Sequence, residues 1–442
     1  MTDEMPYPLV RWVGACSELA TNDRRDMFER RASTSDEIRS RTSHIIARVR
    51  AEGDAALRAL AVELDGVDMR TLEVPLSRCN AALDALSPAL RHAMERAARN
   101  ISRVHEGFRP SLRQVESERG ISVIRRPDPL ARVGVYAPGG RVPYPSSVLM
   151  GVIPACVAGV EEIIVCSPPD RATGEPTGPV LAAAALAGAH RVFAAGGAGA
   201  IAALAYGTES IPRVDRIVGP GNAYVAEAKI QVASAVAIDS PAGPSELLVI
   251  ADHLADPMVV AREMLAQAEH DPLAAVVCVT TDCEAVAPIV RALRTLMVAH
   301  PGAQVAGAAL GGQGAVLCAG SLDEAIAFSN EYAPEHLLLI VDDSEAVVHR
   351  IRNAGTVFMG ACASVAFGDY MTGANHVLPT GGLARSYSGL STLDFVRWTT
   401  IQHVTREAAE GLACDVGVFA DAERLGGHAL AARAWGKLAE SP

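Results

Sequence analysis

Two titratable residues stand side by side in the stretch SNEYAPEHLLLI: Glu335 and His336, behind a proline and ahead of an aliphatic run. On a loop tip both would be solvated. At the mouth of an apolar strand they would form an acid–base pair, because an imidazole can take a proton near neutral pH. The stretch LAQAEHDP sets Gln267 and His270 three apart near a helix end, so both project from one face. Histidine is a common zinc ligand and glutamine a weak one, and a histidine at a helix end can equally serve as a cap. Asp369 and His376 in GDYMTGANHVLP, and His428 after a Gly-Gly pair, occupy loop contexts that spacing alone does not join. Ser245 in PAGPSE lacks the G-x-S-x-G frame of a nucleophile elbow, which favours a turn or cap role. Cys156 has no basic neighbour to activate it and reads as core packing.

Glycines mark a second kind of chemistry. Gly197-Ala-Gly199-Ala-Ile-Ala202 forms a G-x-G-x-x-A run after a strand and at the start of a helix, the context of a dinucleotide fingerprint. Gly/Ala-rich strand-to-helix turns also occur in any α/β protein. YAPGGRVPYPSS and VGPGNAY add two Gly-Pro turns on the same expected sheet edge, and together the three favour a nucleotide or anion site.

The elements that must position these residues follow from periodicity. TSDEIRSRTSHIIARVRAEG opens on capping residues, shows apolar spacing near 3.6 and stops at Gly53; SPALRHAMERAARNISRVHEGF is a second long helix. ISVIRR and ARVGVY then read as short strands. From there GVY, EEIIVCS, HRVFAAGG and DRIVGPG alternate with helical segments, and ELLVIAD, AAVVCVTT, HLLLIVDD and TVFMG do so again. Apolar strands separated by helices imply parallel sheets covered on both faces, hence an α/β protein with two such domains joined at DSPAGPSE. Ligands of open parallel sheets bind beyond the carboxyl ends of the strands, which puts the Gly-rich turns and PAGPSE on the binding face. The segment from Cys362 to about residue 391 is long, polar and Gly-rich, as functional loops are. The tail from about residue 394 reads as helical.

Composition narrows the function classes. A formal charge of −12 over 442 residues, with no Lys/Arg cluster, argues against nucleic-acid or anionic-membrane partners. The nine cysteines form no C-x-x-C, and several, among them those of VVCV, IIVCS and VLCA, sit in apolar runs as reduced hydrophobes. With an N-terminus carrying acids where a signal peptide has basic residues, this gives the expectation of a cytoplasmic protein.

Taken together, the motifs resemble histidinol dehydrogenase, the zinc enzyme family that oxidises L-histidinol to L-histidine with two NAD⁺. The likeness runs from about residue 25 to 435 and is carried by GVYAPGGRVPYPSSVLM, GGAGAIAALAYGTESIPRVDRIVGPGNAYVAEAK, PAGPSELLVIAD, LAQAEHDP, NEYAPEHLLL and GDYMTGANHVLPTGG. It implies two Rossmann-like parallel-sheet domains, a helical N-terminal region and a helical C-terminal tail in an intertwined homodimer. Its domains would be an N-terminal segment (1–24), a first α/β domain with the metal and catalytic residues (25–135 and 245–385), an NAD-binding domain (136–244) and a dimerisation tail (386–442). The resemblance implies one Zn²⁺ per subunit on Gln267, His270, Asp369 and His428. It implies substrate contacts from Ser146, Ser245, His376, Tyr370 and Glu423, with Glu423 and His428 donated across subunits. Tyr136 and Asn222 would contact NAD⁺. His336 resembles the base that takes the hydroxyl proton, and Glu335 the group that activates water for the aldehyde step, each with its separate job. Two departures stand out. Gly199 replaces the family's usual glutamine, a cofactor contact, so altered NAD⁺ binding is expected, and GACASVAFGDY replaces the commoner PES-GDY form. Two alternatives accompany this reading: a related zinc/NAD dehydrogenase of another amino or hydroxy alcohol, such as a sulfonated diol, and a non-catalytic ligand-binding relative.

Overall fold

The computed structural model describes residues 9–30, 36–139 and 142–436. The acidic start of the chain, the caps Thr34 and Ser35, and Gly140 and Arg141 of the first Gly-Pro turn lie outside them. Two compact units divide the chain: Met1–Phe108 with Leu130–Phe395, and Arg109–Pro129 with Val396–Pro442.

The first unit is built on two six-stranded sheets. One has the order Trp12–Ala15, Gly314–Cys318, Ala275–Thr280, Glu246–Ala251, His336–Ile340, Thr356–Met359. The other has the order Glu73–Val74, Arg191–Ala194, Glu162–Ser167, Arg132–Tyr136, Arg216–Val218, Ala237–Ile238, with Glu73–Val74 antiparallel to its neighbour. All residues of Glu246–Ala251 and Ala275–Thr280 are buried, as strands covered on both faces require. The covering helices stop where expected: Gly159 and Gly188, both left-handed, end Pro145–Ala158 and Gly178–Ala187.

The helices before residue 108 sit differently from the expected boundaries. Asp36–Glu52, Leu76–Asp84 and Pro88–Gly107 pack on the helices of the second sheet, not the first, while Trp12–Ala15 joins the first sheet as its edge strand. The apolar stripe of Pro88–Gly107 (Met94, Ala97, Ile101) has its partners in that Ala-rich lobe. Strand Gly314–Cys318, hidden in a Gly/Ala-rich run, was not anticipated.

The second unit is an antiparallel sheet of Arg113–Glu118, Ile121–Pro129 and Val396–Val404, followed by helices Arg406–Ala422 and Gly426–Arg433. The tail is therefore not helical throughout. Val396–Val404 (VRWTTIQHV) is rich in β-branched residues and pairs along its whole length with Ile121–Pro129.

The cysteine expectation is corrected at two places. Cys283 and Cys318 form a disulfide with Cα atoms 5.1 Å apart, because the turn at Cys283 brings it beside the end of the neighbouring strand. Cys156 is exposed rather than packed in the core, its thiol donating to the Ala187 carbonyl. No helix of the described residues is long and apolar enough to cross a membrane.

One buried pair fixes the turn after Arg216–Val218. Lys229 pairs with Asp239, both side chains at most 5 % exposed, and donates to the Gly219 carbonyl at 3.1 Å. Asp239 accepts from Gly219 N–H at 2.8 Å. Gly219 has φ +119°, and a Cβ there would lie 2.0 Å from the Tyr136 carbonyl oxygen, so this turn admits only glycine. Lys229→Met strands a buried carboxylate and is expected to destabilise the protein by about 3–5 kcal/mol in denaturant unfolding, with Lys229→Met/Asp239→Asn recovering part of the loss. A midpoint for Lys229→Met within error of wild type would show that the pair does not anchor the turn.

Candidate active site

The Glu335–His336 pair owes its placement to a turn and a strand pairing. Helix Leu322–Tyr332 ends at Ala333, a non-glycine residue in the left-handed region (φ +51°), and after Pro334 the chain enters strand His336–Ile340. That strand runs parallel to Glu246–Ala251 with His336 opposite Leu247. At its entrance the two glutamates exchange hydrogen bonds. Glu246 N–H donates to Glu335 Oε2 at 2.6 Å, and Glu335 N–H donates to Glu246 Oε2 at 3.3 Å. His336 Nδ1 lies 2.9 Å from the Glu246 carbonyl, an acceptor only, so Nδ1 carries the proton of that bond. Nε2 then points toward Asp369, 3.6 Å from Oδ1.

Glu335 and His336 are 4 % and 3 % exposed, which excludes the solvated loop tip. Burial pushes the Glu335 carboxyl upward, against the opposing pull of His336. Burial alone would lower His336, yet the carboxylates of Glu335 and Asp369 outweigh it and hold the imidazole well above its usual value. His376 is the opposite case. Burial lowers it, so it is neutral, with Nδ1 donating to the Asp369 carbonyl (2.9 Å) and Nε2 accepting from the Ser147 hydroxyl (3.3 Å).

These groups line a pocket of about 330 Å³ in the first unit. It lies at the carboxyl end of the second sheet, where Arg132–Tyr136 and Arg216–Val218 feed loops in opposite directions at the topological switch. For the first sheet the rule fails: Ser245, Glu335 and His336 stand at the amino ends of their strands.

Of the residues singled out from sequence, Tyr136, Ser146, Asn222, Ser245, His270, Glu335, His336, Asp369, Tyr370 and His376 line this pocket. Asn222 Oδ1 caps helix Ala223–Val232, accepting from the N–H groups of Tyr224 and Val225. The Tyr136 hydroxyl accepts from Gly197 N–H at 3.1 Å, so the helix start of the G-x-G-x-x-A run is already capped by a side chain. Gly199 is not among the pocket residues. A Cβ there would lie 3.1 Å from Leu60 Cδ1 and 3.3 Å from Leu57 Cδ2, so two leucines fill the space beside it. Glu423, which ends helix Arg406–Ala422, and His428 on Gly426–Arg433 belong to the second unit and are exposed. Residues that sequence reasoning passed over are Ser147, Thr380, Glu246 and Arg30. Thr380 accepts from Gly243 N–H, and its TGG neighbourhood was the one available signal.

Of the metal ligands expected from sequence, Gln267, His270 and Asp369 lie in the first unit. Gln267 ends a helix as a 2 % exposed residue, and neither its amide oxygen nor its nitrogen has a hydrogen-bond partner. An orphaned buried amide is costly, and a cation bound to Oε1 would satisfy it. His270 follows one turn later, its backbone N–H donating to the Gln267 carbonyl at 3.3 Å. Among the described residues, no three His, Cys, Asp or Glu side chains are gathered to hold a metal. The orphaned amide of Gln267 is the feature that fits a bound cation.

Comparison with known proteins identifies the family. The histidinol dehydrogenase family model matches residues 28–435. Histidinol dehydrogenases of Natronomonas pharaonis and Halobacterium salinarum are each 48 % identical over 94 % of this chain, covering 98 % and 97 % of those proteins. The crystal structure of histidinol dehydrogenase from Elizabethkingia anophelis superposes with a TM-score of 0.92 at 33 % identity, covering 98 % of this chain and 99 % of that one. With nearly all of its length matched in this way, the chain belongs to the histidinol dehydrogenase family and is an NAD-dependent oxidoreductase.

Proposed function

We propose that the protein oxidises L-histidinol to L-histidine in two hydride transfers to NAD⁺, through a histidinaldehyde that stays bound between them. The observation that carries this reading is the buried Glu335–His336 pair lining one pocket, with Glu335 held by Glu246 N–H and His336 Nε2 turned toward Asp369. In the alcohol step the neutral form of His336 takes the hydroxyl proton at Nε2 as the carbinol hydride passes to NAD⁺, and the carboxylates of Glu335 and Asp369 favour the imidazolium so formed, leaving aldehyde, NADH and the proton on His336. In the aldehyde step Glu335 takes a proton from water, later released to solvent, as the oxygen adds to the carbonyl carbon and His336 returns its proton to the carbonyl oxygen. The hydrate gives its hydride to a second NAD⁺ and its protons to His336 and solvent, leaving the carboxylate. The sum consumes one alcohol, one water and two NAD⁺, and yields one carboxylate, two NADH and three protons.

Gln267, His270 and Asp369 would hold the Zn²⁺ together with His428 of the partner subunit in a homodimer. When bound, the metal supplies positive charge that orients the substrate's amino and imidazole nitrogens and offsets the Asp369 carboxylate. Ser146, Ser245, Tyr370, His376 and Glu423 are assigned to the substrate, with Glu423 supplied by the partner subunit. Tyr136 and Asn222 are assigned to NAD⁺. His376, neutral and fixed through both ring nitrogens, is suited to positioning rather than proton transfer.

The decisive measurement counts NADH formed per histidinol consumed by the zinc-loaded enzyme. A ratio of two supports the reading; a ratio of one, or turnover of another alcohol in preference to histidinol, would overturn it. His336→Ala is expected to slow both half-reactions by about 10²–10⁴-fold, whereas Glu335→Gln slows chiefly the oxidation of added histidinaldehyde. Equal losses in the two half-reactions of Glu335→Gln would contradict the division of roles. Gln267→Ala removes a ligand without touching the acid–base pair, so zinc retained after dialysis against a chelator should fall below wild type. Undiminished retention would take Gln267 out of the ligand set.

A further inference from the structure

Behind the Glu335–His336 pair stands a second buried ion pair for which the proposed chemistry has no use. Arg30 Nη2 lies 2.8 Å from Glu246 Oε2, and both side chains are 2 % exposed. The same nitrogen donates to the carbonyls of Tyr332 (2.9 Å) and Ala333 (3.3 Å), and the guanidinium sits 3.5 Å over the Tyr332 ring. These carbonyls belong to the left-handed turn that delivers Glu335 to its strand. The other oxygen of Glu246 accepts from Gly381 N–H at 2.6 Å. Arg30 thus ties the N-terminal segment to the turn and to the strand that faces the active pair.

Charge gives this contact a second consequence. Glu246 and Glu335 are two carboxylates at the entrances of adjacent strands, both almost fully buried. Like charges this close in a dry interior oppose one another's ionisation. The charged groups facing Glu335 are His336 beside it and Glu246 across the strand pair, with Arg30 behind Glu246. Burial pushes Glu335 most strongly toward its protonated form, with the Glu246 charge adding to it and His336 opposing it, and Arg30 interacts favourably with both glutamates. A protonated Glu335 cannot take a proton from water.

We propose that Arg30, held against Glu246 behind the site, is a positioning residue for the aldehyde half-reaction. It fixes the turn that presents Glu335 and balances the Glu246 charge beside it. The inference rests on the reading of Glu335 as the water-activating base. Arg30→Met removes the cation and leaves Glu246 uncompensated. Arg30→Lys keeps a cation, and Arg30→Met/Glu246→Gln removes both charges. A role in packing alone would leave the double variant no better than the single one.

The test compares these variants as zinc-loaded enzyme with NAD⁺, following first-turnover NADH formation from histidinol and from added histidinaldehyde by stopped flow. In Arg30→Met the aldehyde rate should fall at least about tenfold further than the alcohol rate, the factor attached to each unit by which a base is pushed above the assay pH. KM for both substrates should hold, and Arg30→Lys and the double variant should bring the ratio of the two rates back toward wild type. A parallel fall of both rates in Arg30→Met, or a double variant as unbalanced as the single one, overturns the inference. Glu335→Gln with an intact aldehyde rate would instead remove the base itself and the reading beneath it.

Discussion

The site depends on a reciprocal bond between two strand entrances. Glu246 N–H donates to the Glu335 side chain, and Glu335 N–H donates to the Glu246 side chain. A buried carboxylate without partners would be strongly disfavoured, and here each glutamate finds one in the backbone of the other. The exchange requires the strands to be adjacent, parallel and in one register, with His336 opposite Leu247. It also requires the left-handed turn at Ala333, because a helix running on through that residue would not deliver Glu335 to the strand entrance. Loop 379–382 is drawn into the same cluster through Gly381 and Thr380.

This constraint explains why the pocket breaks the usual rule for one sheet and keeps it for the other. The second sheet offers loops at its switch point, where Gly219 lets the chain pass close to the Tyr136 carbonyl and Lys229 and Asp239 clamp the turn. Backbone turns of that kind suit a ligand recognised along its length, such as a dinucleotide. The first sheet offers side chains at strand entrances, where the flanking ladder holds them more rigidly than loops would. Under the proposed function, one sheet supplies a binding edge and the other an acid–base edge.

Much of the fold was legible because buried parallel strands and their covering helices each carry a strong period. EEIIVCS, ELLVIAD and AAVVCVTT became strands, and the helices over 36–52 and 88–107 ended within a residue or two of their glycine signals. What escaped was decided by tertiary pairing. VRWTTIQHV is a strand because Ile121–Pro129 pairs with it, and GAVLC is one because it lies between two others. In the site, Glu335 and His336 were conspicuous by type, whereas Arg30 sits in an unremarkable MFERR and meets Glu246 across 216 residues of chain. No local pattern announces such a partner. Gly199 shows the converse: a conspicuous motif whose glycine is explained by Leu57 and Leu60 packing beside it.

Adjacency in sequence suggested that Glu335 and His336 point apart and work separately. The geometry gives a different account, since Glu335 Oε2 lies 3.3 Å from His336 Nδ1 and the two are electrostatically coupled. What separates their roles is the imidazole itself. Its Nδ1 edge is committed to Glu246 and Glu335, which fixes the tautomer, and its Nε2 edge is turned toward Asp369. The ring is thus the partition between an inner cluster of Arg30, Glu246 and Glu335 and an outer one of Asp369, His270 and His376. A change of charge in either cluster reaches the other through one residue. Under the proposed function, this arrangement lets a single pocket keep a base for an alcohol and a base for water within one hydrogen-bonded set.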